Sequence, residues 1–320
     1  MPEYNQSLVK ATARTPVANK RTIIRKDLIR NRYIYLMLLP VIAYYALFHY
    51  GPMYGLLIAF KDYGIADGVW KSPWVGFDHF QQFFGNHFFW RLIRNTLMIN
   101  LLELIFAFPA PIILALLLNE LRSILFKRVV QTISYLPHFI SIVVVVGMIV
   151  DFVARDGLVN NLLGWFGIQP IAFLQEPNWF RPLYISSGIW QGIGWGSIIY
   201  LAAMSTIDPT LYDAARIDGA NRWKQTLHVT IPGIMPTIVI LLILSIGSML
   251  SVGSEKIILM YNPLTYETAD VISTYVYRKG ILGADFGYSA AVGLFNSVIS
   301  FILLTLANTM SKRVSEHRLW

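Results

Sequence analysis

Five stretches of this chain run for at least 22 residues without an Asp, Glu, Lys or Arg: 33–60, 129–150, 182–207, 225–254 and 286–311. A sixth, 95–119, is interrupted once, by Glu103. Roughly 20 apolar residues cross the hydrocarbon of a bilayer as a helix, and a helix satisfies its own backbone N–H and C=O groups where no water can. The windows therefore predict an all-α integral membrane protein with six transmembrane helices, and an even number of spans puts both termini on one side. The expected organisation is a basic tail over 1–32, a six-helix domain over 33–311 and a short tail over 312–320. The first window is too long and too far from the N-terminus for a cleaved signal peptide.

Charge sets the orientation. Of the 26 Lys and Arg residues, eight lie in the tail (Lys10 to Arg32). Nine more fall on the same side: Arg122, Lys127 and Arg128; Arg216, Arg222 and Lys224; and Lys312, Arg313 and Arg318. The positive-inside rule makes this 17-residue side cytoplasmic. Topology thus accounts for the net charge of +8, and nucleic acid is not an expected partner. On the outer side, 61–94 is rich in Trp and Phe, as suits anchoring at the headgroups or docking of an external protein. The other outer segments, 155–181 and 255–285, do not read as independent domains.

Several chemistries are excluded. There is no cysteine, so no thiolate nucleophile or thiolate metal site. No Gly-x-x-x-x-Gly-Lys-Ser/Thr loop and no His-Glu-x-x-His spacing occurs, and His138 and His228 read as local hydrogen-bonding residues. The chain is not expected to be an enzyme or to hold a cofactor or metal.

One polar insert, 208–230, lies between two of the apolar runs on the cytoplasmic side. Asp208 and Pro209 have the composition of a helix start, and Gly219 supplies a left-handed stop. Residues 220–228 restart a second short helix, which Pro232 closes. Within it, Asp213-Ala214-Ala215, three residues, Gly219, nine residues and Val229-Thr230-Ile231-Pro232 follow in order. This resembles the Glu-Ala-Ala signature of permease subunits of binding-protein-dependent ABC importers, with Asp for Glu, Val for Ile and Ile for Leu. Ala220-Asn221-Arg222-Trp223 and Tyr135-Leu136-Pro137 are similar to the carbohydrate-uptake branch, that of the larger maltose permease, and within it to permeases for complex or acidic oligosaccharides.

The resemblance implies a MalF-like, type I importer fold in a bacterial cytoplasmic membrane, with a second and different permease subunit, two ATPase subunits carrying ATP and Mg, and an extracellular solute-binding protein. It also implies that Asp213, Ala214, Ala215, Asp218, Gly219, Ala220 and Pro232 form the ATPase-coupling element. The solute would be a sugar or oligosaccharide. The candidate path consists of Asn100 and Glu103 in the second window, Tyr184, Ser187, Gln191 and Trp195 at helical spacing in the fourth, Ser248 in the fifth and Asn296 in the sixth. For each of these an interhelical hydrogen bond is the alternative, for Glu103 one to a neighbouring helix or subunit. Gly188, Gly192 and Gly196 form a ladder suited to close helix packing.

Two other functions are compatible with parts of this pattern. An ion-coupled secondary transporter would need internal repeats and several embedded ionisable groups, and Glu103 alone interrupts the windows. The same ABC architecture could instead move amino acids, peptides or another small solute, at the cost of a charge-matched pocket.

Overall fold

The computed structural model describes residues 29–247 and 253–314. Ser248, proposed for the path, lies outside the described residues, as do most of the two tails. The chain divides into two compact units, Met1–Leu56 and Leu57–Trp320. Most of helix α1 (Arg32–Phe60) belongs to the first, and it is apolar around its whole circumference, as a helix in lipid must be.

The second unit is built on long helices: α2 (Phe89–Glu120), α3 (Ile124–Phe139), α4 (Ile142–Gly164), α5 (Pro177–Met204), α6 (Pro209–Ile217), α7 (Arg222–Gly247) and α8 (Phe286–Val314). Among the described residues there is no strand; the only extended pairing is one isolated bridge, Lys61 to Trp74. By length and composition α1, α2, α7 and α8 are each able to cross a membrane. The pair α3–α4 makes a fifth if it is one broken span. With 28 residues, α5 is long enough, at about 42 Å, but more polar.

Three buried clusters hold these helices together. Ala115 of α2, Tyr200 and Met204 of α5 and Ile234 of α7 pack near the insert. Ile99, Val146, Tyr184 and Ile257 join α2, α4, α5 and the segment after α7. Phe83, Leu92, Tyr275, Tyr288 and Val292 fasten α8 to the opposite end of α2. The aromatic segment 61–94 therefore splits its rings: Phe83 is core, whereas Trp70, Trp74 and Trp90 are exposed.

Prolines shape the bundle in two ways. Three π-turns, Ala46–Tyr50, Glu103–Ala107 and Thr226–Thr230, each end two residues before a proline: Pro52, Pro109 and Pro232. A proline ring crowds the carbonyl four residues back, here that of Phe48, Ile105 or His228. Each of those residues sits at the centre of its π-turn, where the wider winding makes room for the ring. The helix consequently runs through Pro232 without a break. Contrary to the sequence expectation, Pro232 does not close the insert, and the second short helix is the first turn of α7.

Pro137 acts otherwise. The window 129–150 is not one straight helix: α3 ends in a 3-10 turn (Leu136–Phe139), Ile140 and Ser141 are extended, and α4 leaves at 102°. Ser141 caps α4 by accepting from the Val144 N–H, and Gln191 Nε2 of α5 donates to the Ile140 carbonyl that the break exposes, 3.2 Å away.

The glycines that permit this packing are not the expected ladder. A Cβ on Gly192 would meet nothing within 4 Å, and one on Gly188 would only touch Lys256 Nζ. On Gly196 it would press on the Pro111 ring at 2.9 Å. The tightest position is Gly194, where a Cβ would collide with the backbone carbonyl of Ser134 at the end of α3. Gly194→Ala is accordingly expected to destabilise the purified protein by about 2 kcal/mol or more, and Gly192→Ala by less than about 0.5 kcal/mol, read as thermal unfolding in detergent.

Candidate functional site

The insert is defined by its caps. Asp208 accepts from the Thr210 N–H at 2.9 Å and Pro209 occupies the first turn of α6. The Thr210 N–H holds the Asp208 carboxyl below the usual carboxylate range, so the cap is fully formed above the ordinary aspartate pKa and is lost as pH falls through the lowered one. At the other end Gly219 N–H bonds to Arg216 O and Ala220 N–H to Ala215 O, the two bonds of a Schellman stop. Gly219 takes the required left-handed conformation, φ +75°. Asn221 then caps α7 by accepting from Lys224 N–H, and Gln225 Nε2 donates back to Ala220 O.

Nothing in α6 is buried. Asp213 pairs with Arg216 one turn on, at 3.1 Å, and both are exposed. Asp218 is exposed at the C-cap, and Ala214 and Ala215 leave a smooth face between them. The apolar Ile217 and Trp223 are 87% and 74% exposed beside the stop. Two contacts reach the bundle: the Tyr212 hydroxyl lies 3.0 Å from Thr230 Oγ1, and Arg222 Nη1 lies 3.3 Å from Glu120 Oε2 at the end of α2. Between these lies a polar cleft of about 590 Å³ bordered by Asn119, Arg122, Arg216 and Asn221.

A second polar group forms where α2, α5 and the segment after α7 meet. The Glu103 carboxyl interacts with the Tyr184 hydroxyl and with the charge of Lys256. Lys256 is buried, donates to the Tyr184 backbone carbonyl at 2.8 Å and lies 4.5 Å from the centre of the Tyr184 ring. Glu103 is thus not the only ionisable group within the bundle, as the windows had implied. Lys256 falls two residues beyond an uncharged window, next to Glu255, and its bond to Tyr184 across 72 positions leaves no local signal in the sequence.

The other path residues are dispersed. Asn100 and Ser187 bond back to their own helices, at Thr96 O and at Leu183 O and Tyr184 O. Gln191 serves the α3–α4 break. Trp195 stacks flat on His138, centroids 4.6 Å apart. Asn296 is half-buried on α8. A mainly apolar cavity of about 350 Å³ between α4 and α5 is lined by Met148, Phe152, Leu183, Ser187 and Trp190.

Segment 255–285 holds the best-satisfied carboxylate. Asp270 is fully buried and accepts two bonds from Arg278, at 3.0 and 2.7 Å, one from Thr274 and a longer one from Arg91 of α2. Burial works against the charge on Arg278, but its bonds to Asp270 prevail and hold its pKa above the ordinary arginine value. Asn95 completes the joint by donating to Glu267 O and Asp270 O and accepting from Arg181 of α5.

With this geometry in view, comparison with known proteins is decisive. The profile of the family described as "binding-protein-dependent transport system inner membrane component" matches residues 107–316, which include the insert. The chain belongs to that family. Its relatives include Protein LplB of Bacillus subtilis (strain 168), 48% identical over 292 residues, 91% of this chain and 92% of the relative. The polygalacturonan/rhamnogalacturonan transport system permease protein YteP of the same organism is 46% identical over 94% of each chain. Among solved structures, a chain of a bacterial alginate ABC transporter in complex with alginate pentasaccharide-bound periplasmic protein superposes with a TM-score of 0.85 at 48% identity, covering 92% of this chain and 99% of that one. As a binding-protein-dependent inner membrane component, the chain has the helical type I permease fold and is the membrane subunit of its transporter rather than a catalytic one.

The buried charges carry a testable consequence for this permease. Lys256→Met removes the bond to the Tyr184 carbonyl and the cation that acts on the Glu103 carboxyl, and is expected to lower stability by about 1–2 kcal/mol. Adding Glu103→Gln should recover most of that loss in thermal unfolding of the purified protein; a double variant as unstable as the two losses summed would contradict the pairing.

Proposed function

We propose that the chain is one permease subunit of an ATP-driven importer that takes up an oligosaccharide delivered by an extracellular binding protein. Its likeness over nearly its whole length to a chain of the alginate transporter carries this reading. The relatives named for polygalacturonan, rhamnogalacturonan and alginate favour a solute derived from an acidic polysaccharide. In this arrangement the chain crosses the membrane six times, with α3–α4 as one bent span and α5 as the more polar sixth, and both termini are cytoplasmic. A second, different permease completes the pathway, and two ATPase subunits bring ATP and Mg.

The insert 208–232 is the coupling element. Ile217 and Trp223, exposed on either side of the Gly219 stop of a polar insert, support a protein partner for it. Asp213 offers that partner a carboxylate, Ala214 and Ala215 let it approach, and the Asp218–Gly219–Ala220 stop fixes the angle at which α6 meets it. Closure of the ATPases around ATP displaces α6, and α7, continuous through Pro232, carries the displacement into the bundle. For the path itself, Ser187 and Trp190 border the cavity between α4 and α5 and offer a hydroxyl and a ring to a sugar.

Purification of the tagged chain from its own membranes should bring down an ATPase and a second permease, and transport of labelled uronic-acid oligosaccharides should need ATP and the binding protein. A lone chain that transports on an ion gradient would contradict the proposal. In the same system Gly219→Pro, which cannot adopt φ +75° and lacks the N–H that bonds Arg216 O, should abolish uptake with the chain still inserted.

A further inference from the structure

A displaced helix moves its neighbours only if it is braced against them. Helix α6 is joined to the bundle at both ends by turns: Ser205 to Asp208 before it, and Asp218 to Asn221 after it. The second turn is the Schellman stop at Gly219, which sets the angle of α6 through two backbone bonds but ties none of its side chains to the bundle. No residue of α6 is buried, and its Asp213–Arg216 ion pair is internal to the helix. A helix tied to its neighbours only through its terminal turns can still roll about its own axis under load. A third point of attachment would turn that rotation into a pull.

The described side-chain bond that supplies such a point runs from Tyr212. Its hydroxyl lies 3.0 Å from Thr230 Oγ1, eighteen residues away, and Thr230 is only 1% exposed. Tyr212 stands immediately before Asp213, on the helix that the ATPase would hold. Thr230 is the last residue of the π-turn Thr226–Thr230, where α7 is wound more widely ahead of Pro232. We propose that the Tyr212–Thr230 hydrogen bond is the strut that transmits movement of α6 into α7, which makes these two side chains positioning residues of the coupling step. The inference rests on the coupling role given above to the insert. Either hydroxyl can donate, so the bond tolerates the small rotation that the step requires. A single neutral bond adds little to folding, and its loss is expected to register in coupling instead.

The test is the number of solute molecules imported per ATP hydrolysed, measured with the complete transporter, the binding protein and a labelled uronic-acid oligosaccharide in proteoliposomes. Tyr212→Phe, which removes the hydroxyl, and Thr230→Val, which replaces it with a methyl, should each lower that ratio roughly fivefold, the double variant should fall no further, and Thr230→Ser should stay near the unmodified protein. Unchanged ratios in the Phe and Val variants, or equal losses in Val and Ser, would overturn the proposal. Should Tyr212→Phe fail to assemble, the Thr230 pair decides alone. Gly219→Pro runs alongside: normal uptake there overturns the coupling role itself, whereas lost uptake there with an intact ratio in Tyr212→Phe overturns only the strut.

Discussion

Within hydrocarbon each backbone N–H and C=O has to find its partner inside the protein, and nearly every feature of this chain answers to that requirement. Long helices meet it without help. At some prolines the turn is widened, as before Pro52, Pro109 and Pro232; at Pro137 the helix ends, and Gln191 donates to the carbonyl left exposed at Ile140. Charge obeys the same rule. Lys256 is buried against Tyr184 with Glu103 as its counter-charge, and Asp270 is enclosed by Arg278, Arg91 and Thr274. What cannot be satisfied inside is left at the ends.

Much of this was legible from local chemistry. Uncharged windows mark α1, α2, α5, α7 and α8, since exclusion of charge is a property of each segment alone. The caps of α6 were equally plain: Asp208 with Pro209 at one end and Gly219 at the other are signals a few residues long. The effects of Pro137 and Pro232 were not. Pro137 and Pro232 look alike in sequence, yet one ends a helix and the other lies within one. The difference comes from neighbours distant in the chain, because Gly194 lets α5 approach Ser134 and Gln191 satisfies the carbonyl left open at Ile140. Lys256 was hidden for the same reason, its partners lying 72 and 153 positions away.

The polar residues of the fourth window illustrate the limit of periodicity. Helical spacing does put Tyr184, Ser187, Gln191 and Trp195 along one helix, but their side chains are drawn in four directions. Tyr184 joins a charge cluster, Ser187 bonds its own backbone, Gln191 serves a helix break and Trp195 enters a ring stack. Spacing along a helix says which residues share it and nothing about what each one faces. The insert is the opposite case. Its side-chain bonds are mostly local caps that its sequence announces, and the exposed Ile217 and Trp223 stand on the surface they leave.

That surface is the centre of the account, and the absence of native cysteine makes it directly accessible to chemistry. A single Ile217→Cys substitution in the intact transporter, treated with a short bifunctional thiol-to-amine reagent in membranes, should give one dominant adduct between this chain and the ATPase subunit. An adduct to the other permease or to lipid, or none at all from a complex that remains assembled and active, would contradict it.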